Sequence, residues 1–225
     1  MQTPAEKQLI DWSAKELENK SEARIIDIGA SKSVIVEEEL LKRGLKFICD
    51  RIDVENCDID KPYVGQTFIS SIENCPLVPD NNYDLGFSNY VFEHIKDLAS
   101  TAKEMSRILK VGSALIISLP NPQAPEFILA KYTPVSFHQL VRGEKIDEAS
   151  EAFETFYSYK SIEEFKKIFV ANGFSFEAEK FFPFTIGYLN RFKIIAPISR
   201  FYDWIIKMTG QKILMGQVCL VFRKK

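Results

Sequence analysis

The run Arg24-Ile25-Ile26-Asp27-Ile28-Gly29 constrains this chain more than any other stretch. It is short, rich in β-branched residues and lacks apolar–polar alternation, as suits a strand buried on both faces. Such strands belong to parallel sheets, which need a helical crossover between neighbouring strands. The sequence supplies the crossovers. Val34 to Arg43 carries Val36, Leu40 and Leu41 at helical spacing and stops at Gly44, a natural left-handed terminus. Leu45 to Cys49 then reads as a second strand, Thr67-Phe68-Ile69 as a third and Tyr83 to Ser88 as a fourth. Leu98 to Leu109 is an amphipathic helix with Ala102, Met105, Ile108 and Leu109 inward, and Ser113 to Leu119, closed by Pro120-Asn121-Pro122, is a fifth strand.

Before the first strand, Thr3 followed by Pro4 starts a helix that carries Ile10, Ala14 and Leu17 on one face. After Pro122 the texture changes. Pro125 and Pro134 interrupt, and Gly143 to Tyr159 is polar yet holds Phe153, Phe156, Tyr157 and Tyr159, as a cover over a sheet edge would. A helix from Ser161 to Ala171, with Glu164 completing a capping box, is followed by strands Phe174 to Phe182 and Gln217 to Phe222. At 225 residues the expectation is a single domain, 1–225, with a ligand-binding half (1–122) and a half (123–225) supplying the cover and the last two strands. Lys+Arg 29 against Asp+Glu 31 leaves a net charge of −2, which provides no cationic field for nucleic acid. With no basic-apolar leader, no long apolar run and Cys49, Cys57, Cys75 and Cys219 without metal-site spacing, a cytoplasmic protein with free thiols and no bound metal is expected.

The chemistry gathers where the first strand ends. Asp27-Ile28-Gly29, the small turn Ala30-Ser31 and a helix entering near Lys32 make a nucleotide-type site at the sheet's carboxyl edge. Asp50 lies 21 positions beyond Gly29, about the separation of a carboxylate that binds a ribose diol. The bland alternative is an ordinary turn and a strand-capping acid. A dinucleotide needs glycines where Ser31 and Ser33 stand, which disfavours NAD. A ligand with adenine and ribose but no phosphates, S-adenosylmethionine, tolerates the bulkier turn.

Three further segments carry a family resemblance: Asp80-Asn81-Asn82-Tyr83-Asp84-Leu85, Ser88-Asn89-Tyr90-Val91-Phe92-Glu93-His94-Ile95, and Glu104 through Gly112. In their order and spacing the chain resembles the class I S-adenosylmethionine-dependent methyltransferases, in particular the type 11 branch, over about residues 23–122. The resemblance implies a Rossmann-like three-layer α/β sandwich with a seven-stranded, mostly parallel sheet whose last strand is antiparallel, plus a helical and aromatic cover after strand five. It implies that Asp27, Gly29, Ala30 and Ser31 lie against the methionine part of the cofactor and that Asp50 holds the ribose. Ser71 stands where many members have an aspartate at the adenine amino group, Ile72 packs on the ring, and Ser88 and Asn89 form the lip between cofactor and acceptor.

Methyl transfer is an in-line displacement that chiefly requires positioning, although an alcohol acceptor also needs a base. Histidine suits that task near neutrality, so His94 and His138 are the candidate catalytic residues, each with a packing role as its alternative. Tyr132, Phe137, Phe156 and Tyr157 are candidates for the acceptor wall or for simple cover packing. The apolar, basic composition of 181–208 suits either a peripheral membrane contact or a helix packed on its own domain. The expected reaction is O-methylation of a small molecule or of a cell-surface glycan precursor, the latter implied by a looser resemblance around Thr133-Pro134 and Leu140-Val141-Arg142-Gly143 to methyltransferases of cell-surface polysaccharide pathways. A non-catalytic protein that binds a partner through its aromatic cover and an NAD-dependent enzyme are the alternatives.

Overall fold

The computed structural model describes residues 2–131, 155–189 and 196–225. Its seven strands are β1 (Ala23–Ile28), β2 (Phe47–Asp53), β3 (Val64–Ile69), β4 (Tyr83–Asn89), β5 (Leu109–Pro120), β6 (Phe174–Phe182) and β7 (Gln217–Lys224). They form one sheet in the order β3-β2-β1-β4-β5-β7-β6. All pairings from β3 to β5 are parallel, and β7 runs antiparallel to both β5 and β6. The order reverses beside β1, so the crevice outside the carboxyl ends of β1 and β4 is where such a sheet accepts a ligand.

The helices are α1 (Pro4–Leu17), α2 (Ile35–Lys42), α3 (Leu98–Ile108), α4 (Pro125–Lys131), α5 (Ile162–Ala171), α6 (Thr185–Leu189) and α7 (Ala196–Thr209). Thr3 and Glu6 form the capping box that starts α1. Ser161 caps α5, although the carboxylate of Glu164 accepts from the N–H of Lys160 rather than from that of Ser161. No described helix is long and apolar enough to cross a membrane.

Two hydrophobic cores lie on opposite faces of the sheet. Alternate residues of β1 divide between them: Ile25 joins Leu9, Leu17, Val36 and Leu40 under α1 and α2, whereas Ile26 and Ile28 join Met105, Phe165 and Phe169 under α3 and α5. Phe165 and Phe169 stack at 4.8 Å, and Phe169 stacks on Phe222 at 4.9 Å, which fixes α5 to the antiparallel strand. The loop leading to Tyr83 is tied down by Arg107 of α3, which donates to the carbonyls of Cys75 and Val78 and pairs with Glu104 and Asp80. That guanidinium helps hold the carboxyl of Glu104 down at about 2.

Strand β2 runs four residues past the boundary expected from sequence, through Asp50, Arg51 and Ile52 to Asp53. The charged pair looks like a strand end, but Arg51 is wholly buried and charge-paired, so the ladder continues across it.

Candidate active site

A cavity of about 540 Å³ opens at the carboxyl edge between β1, β2 and β4, within the range of small-molecule sites. Asp27, Gly29, Ala30, Ser31, Ser71, Ile72, Asn89 and His94 all line it. Gly29 begins the turn at φ +74°, and a Cβ there would lie 2.3 Å from a methyl of Val91. Glycine is therefore required both by the backbone and by Val91, which lies across the turn and itself faces the cavity. Ser31 also has a positive φ, 47°, a conformation that costs a side-chain-bearing residue about 1 kcal/mol.

The turn is anchored by groups the sequence reading missed. Arg51 donates from Nη2 to the carbonyls of Ala30 (3.0 Å), Ser31 (3.3 Å) and Ser33 (2.6 Å), and from Nη1 to the carboxylate of Glu37. Its Nη2 lies 3.8 Å from Asp27 Oδ2. The Asp27 and Glu37 carboxyls hydrogen-bond each other. Burial is the main cause of the raised pKa of both, with mutual repulsion adding at Asp27, while Arg51 opposes the rise. The buried pair thus retains a proton above the ordinary carboxylate range.

Asp50 departs from its expected place. It pairs in register with Ile26, which belongs to the core under α3 and α5, so it faces away from Asp27. Its carboxylate is fully buried and accepts from Arg24 Nε and Nη2, the Tyr83 hydroxyl (2.8 Å) and the Gln66 N–H (2.8 Å). It does not line the cavity. Asp53 does, at the true end of β2 and beside Gly29, whose N–H bonds to Ile52 O at 2.8 Å. One Asp53 oxygen accepts from the N–H of Ser31 (2.9 Å) and the other from that of Glu55 (3.0 Å), which fixes the carboxylate while leaving further lone pairs.

Ser88 also departs from the lip: fully buried and outside the cavity lining, it donates from Oγ to Ile28 O at 3.0 Å and pins β4 to β1. Asn89 stays at the cavity, its amide donating to Glu6 Oε1 (2.9 Å) and its carbonyl oxygen accepting from Ser118. Beside it the Tyr90 hydroxyl bonds Thr3 Oγ1 at 3.0 Å, so the start of α1 braces this wall. Ser71 Oγ accepts from the N–H of Glu73 (3.2 Å), and Glu73 in turn accepts from the N–H groups of Lys96 and Asp97. The ammonium of Lys96 sits 4.5 Å from the Phe156 ring centre, bringing the start of the 155–159 segment to the cavity's rim. Tyr157 instead meets Phe127 and Tyr159 edge-on. His138, Tyr132 and Phe137 lie outside the described residues.

Among the described residues, Asp27, Glu37, Asp53 and Glu73 face the cavity against one lysine and one histidine. A diphosphate would meet carboxylates there, whereas a sulfonium or ammonium is favoured by them. Ser31, Ser33 and Ser71 add hydroxyls, and Val36, Val54, Ile72 and Ile95 add apolar walls. The residues fit S-adenosylmethionine.

Strand order, an antiparallel β7 and an acid-lined crevice beside β1 together define the fold of class I methyltransferases. Similar solved structures include an S-adenosylmethionine-dependent methyltransferase from Mesorhizobium loti (TM-score 0.61, 14% identity, 98% of each chain covered). A protein assigned as a sarcosine dimethylglycine methyltransferase from Galdieria sulphuraria is also similar (TM-score 0.62, 15% identity, 98% of this chain and 87% of that one). A third is geranyl diphosphate C-methyltransferase from Streptomyces coelicolor A3(2), in complex with S-adenosyl-L-homocysteine (TM-score 0.59, 12% identity, 98% and 76%). At such identities the likeness speaks for the fold. No curated protein matches the chain in sequence. The profile of the methyltransferase domain family matches residues 1–179, and the chain belongs to that family. It is an S-adenosylmethionine-dependent methyltransferase, which displaces the nicotinamide and non-catalytic readings.

Glu93, next to the cavity residue His94, is buried, and among the described residues its Oε2 has no hydrogen-bond partner. Burial pushes its pKa from 4.5 up to about 8. The fold therefore binds a proton that the unfolded chain releases above about pH 4.5, so Glu93 makes stability fall as pH rises from about 4.5 to about 8. The loss is at most about 1.4 kcal/mol per pH unit in that window. Glu93→Gln should match the wild type at pH 5 and exceed it at pH 8, read as urea midpoints at both values. A gap that stays constant with pH would show that Glu93 is ionised in the fold.

Proposed function

We propose that the enzyme methylates a hydroxyl group of a small molecule or glycan precursor. When bound, S-adenosylmethionine supplies an electrophilic methyl group. In this reading Asp53 holds the ribose diol, Ile72 packs against the adenine and the Ser71 region meets its edge, while Asp27 and Glu37 face the cationic methionine portion. Arg51 keeps the 30–33 turn in place from beneath. Asn89, Tyr90 and His94 stand on the acceptor side, and His94 takes the hydroxyl proton. Among the described residues, Phe156 at the rim offers an aromatic face that suits a sugar ring. Within 181–208, membrane contact falls to α7.

The observation that carries the hydroxyl reading is that His94 lines the same cavity as Asp27 and Asp53. An alcohol must lose its proton during or after attack, and an imidazole at this position is suited to accept it. The test incubates the enzyme with methyl-labelled S-adenosylmethionine and fractionated small-molecule and glycan extracts, then identifies the methylated atom by mass spectrometry and NMR. The reading expects an O-methyl product and a His94→Gln variant about 100-fold slower, with cofactor affinity retained. An N-, S- or C-methyl product, or a variant at the wild-type rate, would overturn it.

A further inference from the structure

Helix α7 is built inside out. Its buried stripe is Ala196, Ser199, Asp203 and Ile206, and the carboxylate of Asp203 accepts the N–H groups of Thr185 and Ile186 at the start of α6. Its solvent face carries Ile198, Phe201, Trp204 and Met208, respectively 65%, 61%, 56% and 70% exposed, with Ile205 between them. A surface helix of a soluble domain normally turns such residues inward, as α3 does with Leu98, Ala102, Met105 and Ile108. Here a mixed stripe anchored by Asp203 docks the helix and the larger apolar stripe faces outward.

The charges are sorted as well. Asp203 is the only acid in α7 and it is turned inward, while Arg200 and Lys207 are exposed along one flank of the apolar stripe. The outer surface of the helix therefore combines apolar side chains with two cations and no anion. Phe201 and Trp204 stack on each other on this face, with ring centres 5.8 Å apart. Helix α7 emerges between the end of β6 and the start of β7, both at the sheet's carboxyl edge, which is also the edge where the cofactor cavity opens.

We propose that α7 is an interfacial membrane helix, docking the protein on an anionic lipid surface with Phe201, Trp204 and Met208 among the headgroups and Arg200 and Lys207 beside the lipid phosphates. An aromatic and aliphatic face flanked by cations is the composition that binds this interface. With two cations and no anion on its outer surface, the helix is the charge complement of an anionic lipid surface. Antiparallel two-fold pairing of α7 with a second copy would place both cationic flanks on the same side of the pair. The proposal does not depend on the nature of the methyl acceptor.

The full-length protein with Trp12→Phe leaves Trp204 as its only tryptophan. Its emission should shift to the blue, and the protein should float, with phosphatidylcholine vesicles containing phosphatidylglycerol and not with phosphatidylcholine alone. Phe201→Ser with Met208→Ser should weaken partition at least about tenfold, with thermal stability and cofactor affinity unchanged. Arg200→Glu with Lys207→Glu should abolish the preference for anionic vesicles. Unshifted Trp204 emission, equal binding to neutral vesicles, or a lipid-free dimer that buries Trp204 would each overturn the proposal.

Discussion

Asp53→Ala is expected to weaken S-adenosylmethionine binding about 100-fold, whereas Asp50→Ala should leave the affinity of the folded protein unchanged and lower its stability by about 2–4 kcal/mol. The two acids lie three residues apart on one strand but on opposite faces of it. Asp53 borders the cavity with lone pairs to spare, and hydrogen bonds from two ribose hydroxyls to a carboxylate contribute about 1.5–3 kcal/mol each. Part of that is offset by desolvation of the carboxylate on binding, leaving about 3 kcal/mol. Asp50 has no such access. Its removal strands the hydroxyl of fully buried Tyr83 and takes the partner from Arg24. Calorimetric titration with S-adenosylmethionine, paired with urea denaturation of each variant, separates the two outcomes. If Asp50→Ala lost the affinity and Asp53→Ala kept it, the register of β2 described above would be wrong.

The same strand shows what a sequence can and cannot disclose. Apolar runs at Ile25–Ile28 and Leu115–Leu119 and the helical periods between strands led to the correct sheet class, because burial on both faces leaves a compositional trace. The resemblance led to the antiparallel last strand. The end of β2 left a misleading trace: Asp50-Arg51 looks like the polar boundary of a strand, and only knowledge that Glu37 lies opposite Arg51 shows that the charge can be buried. A usable signal was present in Ile52, an apolar residue after the charged pair, which continues the alternation and moves the terminal acid to Asp53. Ser88 was misplaced by a related parity error, since a residue at a strand's carboxyl end faces either the crevice or a neighbouring strand. Sequence also gave no warning that Thr3 and Glu6, besides capping α1, would brace Tyr90 and Asn89, because those contacts join residues more than 80 positions apart. The inverted face of α7 was legible as composition in 181–208, but its direction depends on Asp203 bonding α6.

Arg51→Met should destabilise the fold by about 3–5 kcal/mol, the usual cost of stranding buried charges by removing one partner. Arg51 is inaccessible to solvent, and its loss would leave Glu37, 1% exposed, without a counter-charge and three turn carbonyls without a donor. Ser31 holds a left-handed backbone that needs support, and Arg51 is its strut. Adding Glu37→Leu to Arg51→Met removes the main stranded carboxylate and should restore much of the stability, since an apolar replacement of a whole buried ion pair is often near neutral. It should not restore S-adenosylmethionine affinity, because the carbonyls of Ala30, Ser31 and Ser33 remain untied. Arg51→Lys keeps the charge but lacks the planar fork, so it should fold with a smaller loss of stability and bind the cofactor about tenfold more weakly. Stability and affinity thus part company across the three variants, read by urea denaturation and calorimetric titration. Were the double variant to recover both together, Arg51 would serve only to neutralise Glu37 and the turn would hold its shape unaided.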